Sequence, residues 1–245
     1  MTHFACYPGQ IKTASFAFIL ATIGAAAQAT PVEISKQDKS TFGTNGAATV
    51  TILDSALQPK GDRVRAGGFA LSAAGLGDFV AWCLDIGTSL RLSSDYRVTK
   101  DRPGYAPYPN TTTMSLDQKD RVQAVFNAAY RDLDLTQSAD SAGFQLALWE
   151  VLYEDGNDYS VTSGSFSATG ASGVVARAND ILSTFEGTTN GQYRMTFLES
   201  DELRKSGAHK SQNLVTIVPT PLPAAGFLML AGLAGLGALR RFKGQ

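Results

Sequence analysis

The sequence has few of the residues from which catalytic sites and metal centres are usually built. It contains two cysteines and two histidines among 245 residues. Zinc-ligand spacings, a phosphate-binding loop and the Gly-x-Ser-x-Gly nucleophile motif are all absent. The formal net charge is −1, and acidic and basic residues are dispersed along the chain. The sequence therefore predicts no nucleic-acid partner, no metal and no other cofactor.

The first 29 residues have the pattern of a secretory signal peptide. Lys12 precedes an uncharged segment at 13–26, and Ala27-Gln28-Ala29 has the small-x-small form of a signal peptidase site. We expect the mature chain to begin at Thr30, which removes Cys6 and leaves Cys83 as the single cysteine. An unpaired cysteine in an exported protein indicates an intermolecular bond, a reactive thiol or a buried small apolar residue.

The C-terminus consists of an extended segment, an apolar segment and a basic end. Proline at 219, 221 and 223 holds the chain extended and excludes a helix there. Residues 224–239 carry no charge, and as a helix they would cover roughly 24 Å, slightly less than the ~30 Å hydrocarbon core of a bilayer. Arg240 and Arg241 follow and mark the cytoplasmic end. We therefore expect a membrane helix with the bulk of the chain on the opposite side.

This tail resembles the VPLPA-type C-terminal sorting signals of the PEP-CTERM/exosortase system. The matching residues are Val218, Pro219, Pro221, Leu222, Pro223 and Ala224, followed by the apolar helix, Arg240 and Arg241. The resemblance implies recognition by an exosortase-type membrane protease at the inner membrane. It also implies removal of the tail and delivery to the cell surface or extracellular matrix of a Gram-negative bacterium. A plain membrane anchor is the alternative.

The predicted organisation has four parts: a signal peptide at 1–29, an ectodomain at 30–204, a linker with the last strand at 205–217, and a sorting signal at 218–245. For the ectodomain the pattern predicts an α+β fold, a β-rich sheet or sandwich with an inserted helical segment. Strands are predicted over 48–53, 64–71, 79–84, 192–198 and 213–218. Helices are predicted from a capping box at Ser115 and Gln118, from 138 or 141 to about 154, and from a cap at Ser172.

Gln145 occupies an unusual position in the second predicted helix. Leu148, Trp149 and Leu152 follow it at helical spacing, so the amide lies within the apolar stripe. A buried amide without partners costs a few kcal/mol. Internal hydrogen bonds could compensate for that cost. A second hypothesis is that Cys83 attacks the side-chain carbonyl of Gln145, releases ammonia and forms an internal thioester. These two interpretations, a thioester and an ordinary core pair, remain open.

The segments Trp82-Cys83-Leu84 and Phe144-Gln145-Leu146-Ala147-Leu148-Trp149 resemble the two signatures of the thioester domains of bacterial surface adhesins. The resemblance implies that Cys83 is the thiol partner and Gln145 the acyl donor. Trp82, Phe144 and Trp149 would shield the bond from water. It further implies covalent attachment to a surface or matrix polymer that bears an amine or hydroxyl. Such a protein reacts once and is not an enzyme in the usual sense; a non-covalent surface or biofilm-matrix component is the alternative function.

Two other chemistries compete with the thioester. Cys83, His209 and Asn213 follow the order of a papain-like hydrolase, but His209 lies in a polar segment at 205–212 that we interpret as a solvated linker. The acidic residues near the end of the second helix suit glycoside hydrolysis or calcium in composition, although their spacing matches no calcium loop. We expect that group to be a solvated acidic face: Glu150, Glu154, Asp155 and Asp158.

Overall fold

The computed structural model describes residues 31–55, 61–92, 94–108, 114–186, 193–203 and 209–219. The predicted signal peptide therefore lies outside the described residues, as does the sorting signal from Thr220 onward. None of the described helices combines the length and the apolar character needed to cross a bilayer.

The described part of the chain contains short strands and three α-helices. The strands are β1 (Val32–Lys36), β2 (Ala48–Asp54), β3 (Arg63–Ala66), β4 (Phe69–Ala73), β5 (Gly77–Cys83), β6 (Asp95–Lys100), β7 (Ser167–Thr169), β8 (Tyr193–Ser200) and β9 (Leu214–Pro219). The helices are α1 (Leu116–Ala129), α2 (Ser138–Tyr153) and α3 (Ser172–Leu182). Val218 and Pro219, the first residues of the predicted sorting motif, end β9 opposite Arg194 and Tyr193 of β8.

The strands form two sheets, the larger of which is a closed barrel. The barrel order is β1-β4-β5-β9-β8-β6, and the smaller sheet has the order β3-β2-β7. Each neighbouring pair is antiparallel. The prediction of a β-rich fold with inserted helices is confirmed, but the main sheet closes on itself instead of stacking as a sandwich. Closure leaves the barrel without edge strands, so its backbone groups pair internally.

The strand predicted over 64–71 is two strands that belong to different sheets. The chain breaks at Gly67, whose φ is +149°, and a Cβ there would lie 2.2 Å from the carbonyl oxygen of Gly46. Only glycine tolerates this combination of φ and close backbone approach. The break lets β3 join the small sheet while β4 joins the barrel.

The helices follow the predicted positions, with one different cap. Ser115 and Gln118 form the predicted capping box at the start of α1. The cap predicted at Ser172 is wrong, because Ala171 is the N-cap of α3 and no side chain bonds the free N–H groups. Helix α2 is buried from Ser141 to Leu152 and packs against α1, α3, β2 and β3. A helix buried on all sides needs internal partners for each polar side chain.

An aromatic cluster fixes α2 against the barrel strand β5. The rings of Trp82 and Phe144 lie 4.6 Å apart, and those of Phe126 and Phe144 lie 5.1 Å apart. Tyr130, directly after α1, completes the cluster on the same rings. Because Phe144 precedes Gln145, this packing holds the Gln145 side chain at the end of β5.

Candidate functional site

Cys83 is the last residue of β5 and lies where that strand separates from β9. It pairs with Leu214, and the N–H of Leu84 donates to the carbonyl of Asn213 at 3.2 Å. Consecutive strand residues point to opposite faces. The side chain of Trp82 therefore enters the aromatic cluster, while the Cys83 thiol faces the other side.

Gln145 binds the backbone of Cys83 through both ends of its side-chain amide. The N–H of Cys83 donates to Oε1 of Gln145 at 3.0 Å, and Nε2 of Gln145 donates to the carbonyl of Cys83 at 2.8 Å. The amide acts as a further strand partner at the end of β5 and is 1% exposed. The structure thus brings the predicted pair together, but through the backbone of the cysteine and not through its sulfur.

The Cys83 thiol instead contacts Gln212, which sequence analysis did not single out. The sulfur lies 3.0 Å from Oε1 of Gln212 and 3.2 Å from the carbonyl oxygen of Asp85. Cys83 is 3% exposed and Gln212 is 5% exposed. The available sequence signal was the position of this glutamine, directly ahead of the apolar strand that pairs with β5.

Hydrogen bonds on both sides hold the segment that carries Gln212. Tyr96 donates its hydroxyl hydrogen toward the carbonyl of Gln212 at 3.0 Å and the hydroxyl of Ser211 at 2.6 Å. The N–H of Ser200 donates to Oδ1 of Asn213 at 2.9 Å. The segment is part of the folded domain, so the Gln212 side chain is positioned by the barrel.

His209 belongs to the same buried segment, and the prediction that it lies in a solvated linker is wrong. Its ring is 7% exposed, and Nδ1–H donates to the carbonyl of Ser200 at 2.6 Å. Burial raises the pKa of the Cys83 thiol, and the nearby Asp85 carboxylate raises it further. A thiol held neutral is the reverse of the activated thiolate that a cysteine hydrolase requires.

The thiol and both glutamines open onto a surface cavity of about 530 Å³. Residues of β3, β4 and α2, the turn at Thr41 and the chain that follows β5 form its walls. Their lining residues, besides Cys83, Gln145 and Gln212, are Thr41, Phe42, Arg63, Val64, Arg65, Phe69, Ile86, Gly87, Thr88, Ser89, Leu90, Leu92 and Trp149. A small external molecule can therefore approach the Cys83–Gln212 contact from solvent.

The three predicted shielding residues are divided between the cavity and the core. Trp149 lines the cavity beside Cys83. Trp82 and Phe144 are fully buried in the aromatic cluster and do not belong to the cavity wall. Trp149 is therefore the residue of the three that can control access to the thiol.

Half of the acidic group at the end of α2 is the solvated face that we predicted: Asp155 and Asp158 are exposed, whereas the prediction is wrong for Glu150 and Glu154. Glu150 is fully buried and Glu154 is 8% exposed. The carboxylate of Glu154 accepts N–H groups from Gly156, Ser165 and Phe166. One oxygen of Glu150 accepts the N–H of Ser160 at 2.8 Å, and the other has no hydrogen-bond partner. Within the described ranges, no group of acidic, histidine or cysteine side chains is arranged to hold a metal ion.

Two thioester domains are among the solved structures that the chain resembles weakly. The N-terminal thioester domain of a protein F2 like fibronectin-binding protein from Streptococcus pneumoniae matches with a TM-score of 0.39 and 14% identity, over 76% of this chain and 100% of that one. The N-terminal thioester domain of a surface protein from Clostridium perfringens matches with a TM-score of 0.35 and 13% identity, over 70% and 99%. No protein-family model and no curated protein matches the chain. Likenesses at this level do not transfer a function.

Proposed function

We propose that Cys83 and Gln212 condense into an internal thioester and that the exported protein uses it for covalent attachment. The Cys83 sulfur bonds to Cδ of Gln212, the Cδ–Nε2 bond breaks, and the thiol proton leaves with the nitrogen as ammonia. Gln212 replaces Gln145 as the acyl donor in this proposal. The observation that carries it is the contact of 3.0 Å between the Cys83 sulfur and Oε1 of Gln212 at the floor of a cavity.

The different bonding of the two glutamines supports this assignment. Oε1 and Nε2 of Gln145 are both engaged with the backbone of Cys83, which holds the Gln145 amide against the strand. The side-chain carbonyl of Gln212 lies in contact with the sulfur itself, so its carbon is within reach of the thiol. Gln145 then positions the nucleophile and Gln212 reacts with it.

A thioester at this place would be an acyl group protected by burial until a partner enters the cavity. An amine or hydroxyl of a surface or matrix polymer attacks Cδ of Gln212 and displaces the Cys83 sulfur, which leaves a stable amide or ester. The protein reacts once and is not an enzyme in the usual sense. Its placement outside the cytoplasm, through an inner-membrane stage and an exosortase-type protease, rests on the leader and the tail of the sequence.

A non-covalent structural or matrix component is the second candidate. The observation that favours it is that the Cys83 thiol can donate a hydrogen bond to Gln212 or Asp85. In that case the contact contributes only to packing, as buried cysteines often do.

The mass of the intact ectodomain separates the two candidates. We expect the wild type to be lighter than its sequence by one ammonia and to gain one methylamine on treatment, because the thioester is the group that reacts. Cys83→Ala should restore the full sequence mass and abolish the methylamine adduct. If the wild-type protein has its full mass and its thiol is alkylated without denaturation, the thioester is contradicted and only the structural candidate remains.

A further inference from the structure

The charged side chains that line the cavity in front of the thiol are both cationic, while the nearby Asp85 carboxylate is not part of the lining. Arg63 and Arg65 line it, both exposed, and none of the described lining residues is acidic. Neither arginine takes part in an ion pair between described residues. The guanidinium of Arg65 lies 4.9 Å from the ring centre of Phe42, a contact that stabilises its position at the rim. Because Arg63 and Arg65 are two positions apart on β3, their side chains project from the same face.

These charges select among the nucleophiles that could reach Gln212. An ammonium group entering the cavity meets two guanidinium groups, whereas a neutral hydroxyl beside a carboxylate meets favourable charges. We propose, on the basis of the thioester function above, that the acceptor is a hydroxyl-bearing anionic polymer, an acidic polysaccharide. Its carboxylates bind Arg63 and Arg65. A neighbouring hydroxyl oxygen bonds to Cδ of Gln212, the Cδ–Sγ bond breaks, and the hydroxyl proton ends on the sulfur.

The polymer class is tested with the wild-type ectodomain and two polysaccharides. We expect covalent conjugates with polygalacturonate but not with dextran, and we expect hydroxylamine to release them because the product is an ester. Equal conjugation of dextran, or a conjugate that resists hydroxylamine, would overturn the proposal.

The role of the arginines is tested with two small amines of similar basicity, β-alanine and ethylamine. The rate of β-alanine addition divided by the rate of ethylamine addition should fall roughly three- to tenfold in the double variant Arg63→Gln, Arg65→Gln. A change of this size is expected for the loss of exposed charge pairs. Arg131→Gln, which changes an exposed arginine outside the cavity, should leave the ratio unchanged. An unchanged ratio in the double variant contradicts the proposal, while ethylamine that fails to add to any form contradicts the thioester itself.

An independent observation concerns Trp149. Its side chain is 3% exposed, and the buried indole N–H has no hydrogen-bond partner at ordinary geometry. Trp149 follows Gln145 by one helical turn, so it lies on the face of α2 that meets Cys83, and it lines the same cavity. The N–H is close enough to the Cys83 sulfur to lower the pKa of the thiol, against the larger effect of burial.

Opening a thioester leaves negative charge on sulfur, and burial makes this sulfur a poor leaving group. We propose that the indole N–H of Trp149 donates to the Cys83 sulfur as the Cδ–Sγ bond breaks, again on the basis of the thioester function. The unpaired N–H then stabilises the negative charge that develops on sulfur in the transition state, where a preorganised dipole is most effective.

Trp149→Phe and Trp82→Phe form a matched pair for this second proposal. Both tryptophans are buried with unpaired N–H groups, but Trp82 faces the aromatic cluster. Trp149→Phe should slow methylamine addition about 10- to 100-fold. In protein already opened by methylamine, it should also move the alkylation of the free thiol to higher pH. Trp82→Phe should change neither result.

A second replacement keeps the ring shape if Trp149→Phe disturbs the fold. Benzothienylalanine at position 149 exchanges the indole N–H for sulfur. It should also slow methylamine addition and move the alkylation of the free thiol to higher pH. An equal slowing in Trp82→Phe, or an alkylation profile that does not move at position 149, would show that Trp149 acts only by packing.

Discussion

Gln212→Ala should abolish the loss of ammonia and leave the domain folded. The variant removes the proposed acyl donor, so its mass should equal its own sequence and its thiol should add no methylamine. We expect little change in the free energy of unfolding relative to a Cys83→Ala protein. The reason is that the backbone of residue 212 remains bonded through Tyr96, and the lost side-chain contact is a single weak thiol hydrogen bond.

Gln145→Ala should have the opposite effects: it should destabilise the domain but preserve the loss of ammonia. It leaves the N–H and the carbonyl of Cys83 buried without their side-chain partner. Each such group costs about 1–3 kcal/mol, so we expect a loss of roughly 2–6 kcal/mol, measured by denaturant unfolding. Wherever the folded form persists, the missing ammonia should still be seen. A full-mass Gln145→Ala protein together with a light Gln212→Ala protein would return the acyl donor to the residue that the sequence first indicated.

The stability of the domain should fall as the pH rises from about 5 to 8. Burial raises the pKa of Glu150 to about 8, the N–H of Ser160 opposes that rise, and the charges of Glu154 and Asp158 add to it. A carboxyl group whose pKa is raised on folding stabilises the fold while it is protonated. Its contribution is complete below its unfolded pKa near 4.5 and is lost as the pH passes about 8. The slope should reach as much as about 1.4 kcal/mol per pH unit.

Glu150→Gln and Glu154→Gln distinguish the two buried carboxyl groups. Glu150→Gln should flatten the decline between pH 5 and 8, since the amide stays neutral. Burial alone would raise the pKa of Glu154, but hydrogen bonds from four backbone N–H groups outweigh it and lower the pKa. Glu154 therefore stabilises the fold above its unfolded pKa, and Glu154→Gln should lower stability at neutral pH. A wild-type unfolding free energy that is constant from pH 5 to 8 would contradict the assignment to Glu150.

Local patterns in the sequence predicted the helices well. The capping box at Ser115 depends on residues three positions apart, and the burial of Gln145 follows from its apolar neighbours at helical spacing. The residues that produce these signals lie within one or two helical turns of each other, so the sequence alone reveals them. The thioester resemblance also directed attention to Cys83, whose surroundings in the structure are polar and partly open to solvent through the cavity.

The residue that contacts the thiol could not be found in the same way. Gln212 meets Cys83 only because β9 pairs with β5, a register between residues far apart in the sequence. Barrel closure through β1 and β6 is equally nonlocal. The prediction that Glu150 and Glu154 are solvated was wrong for a related reason. Both lie near a helix end with a polar sequence, yet the chain at 160–166 folds back over them.

The position of Gln212 directly ahead of β9 has a mechanical consequence for the proposed adhesin. If the predicted membrane anchor beyond Pro219 is retained, residues 212–219 are the described part of the chain that connects it to a partner joined to the Gln212 side chain. Tension between the cell and its substrate would run along that one covalent stretch. The covalent path does not pass through the other strands or the helices, so their unfolding would leave the tether intact.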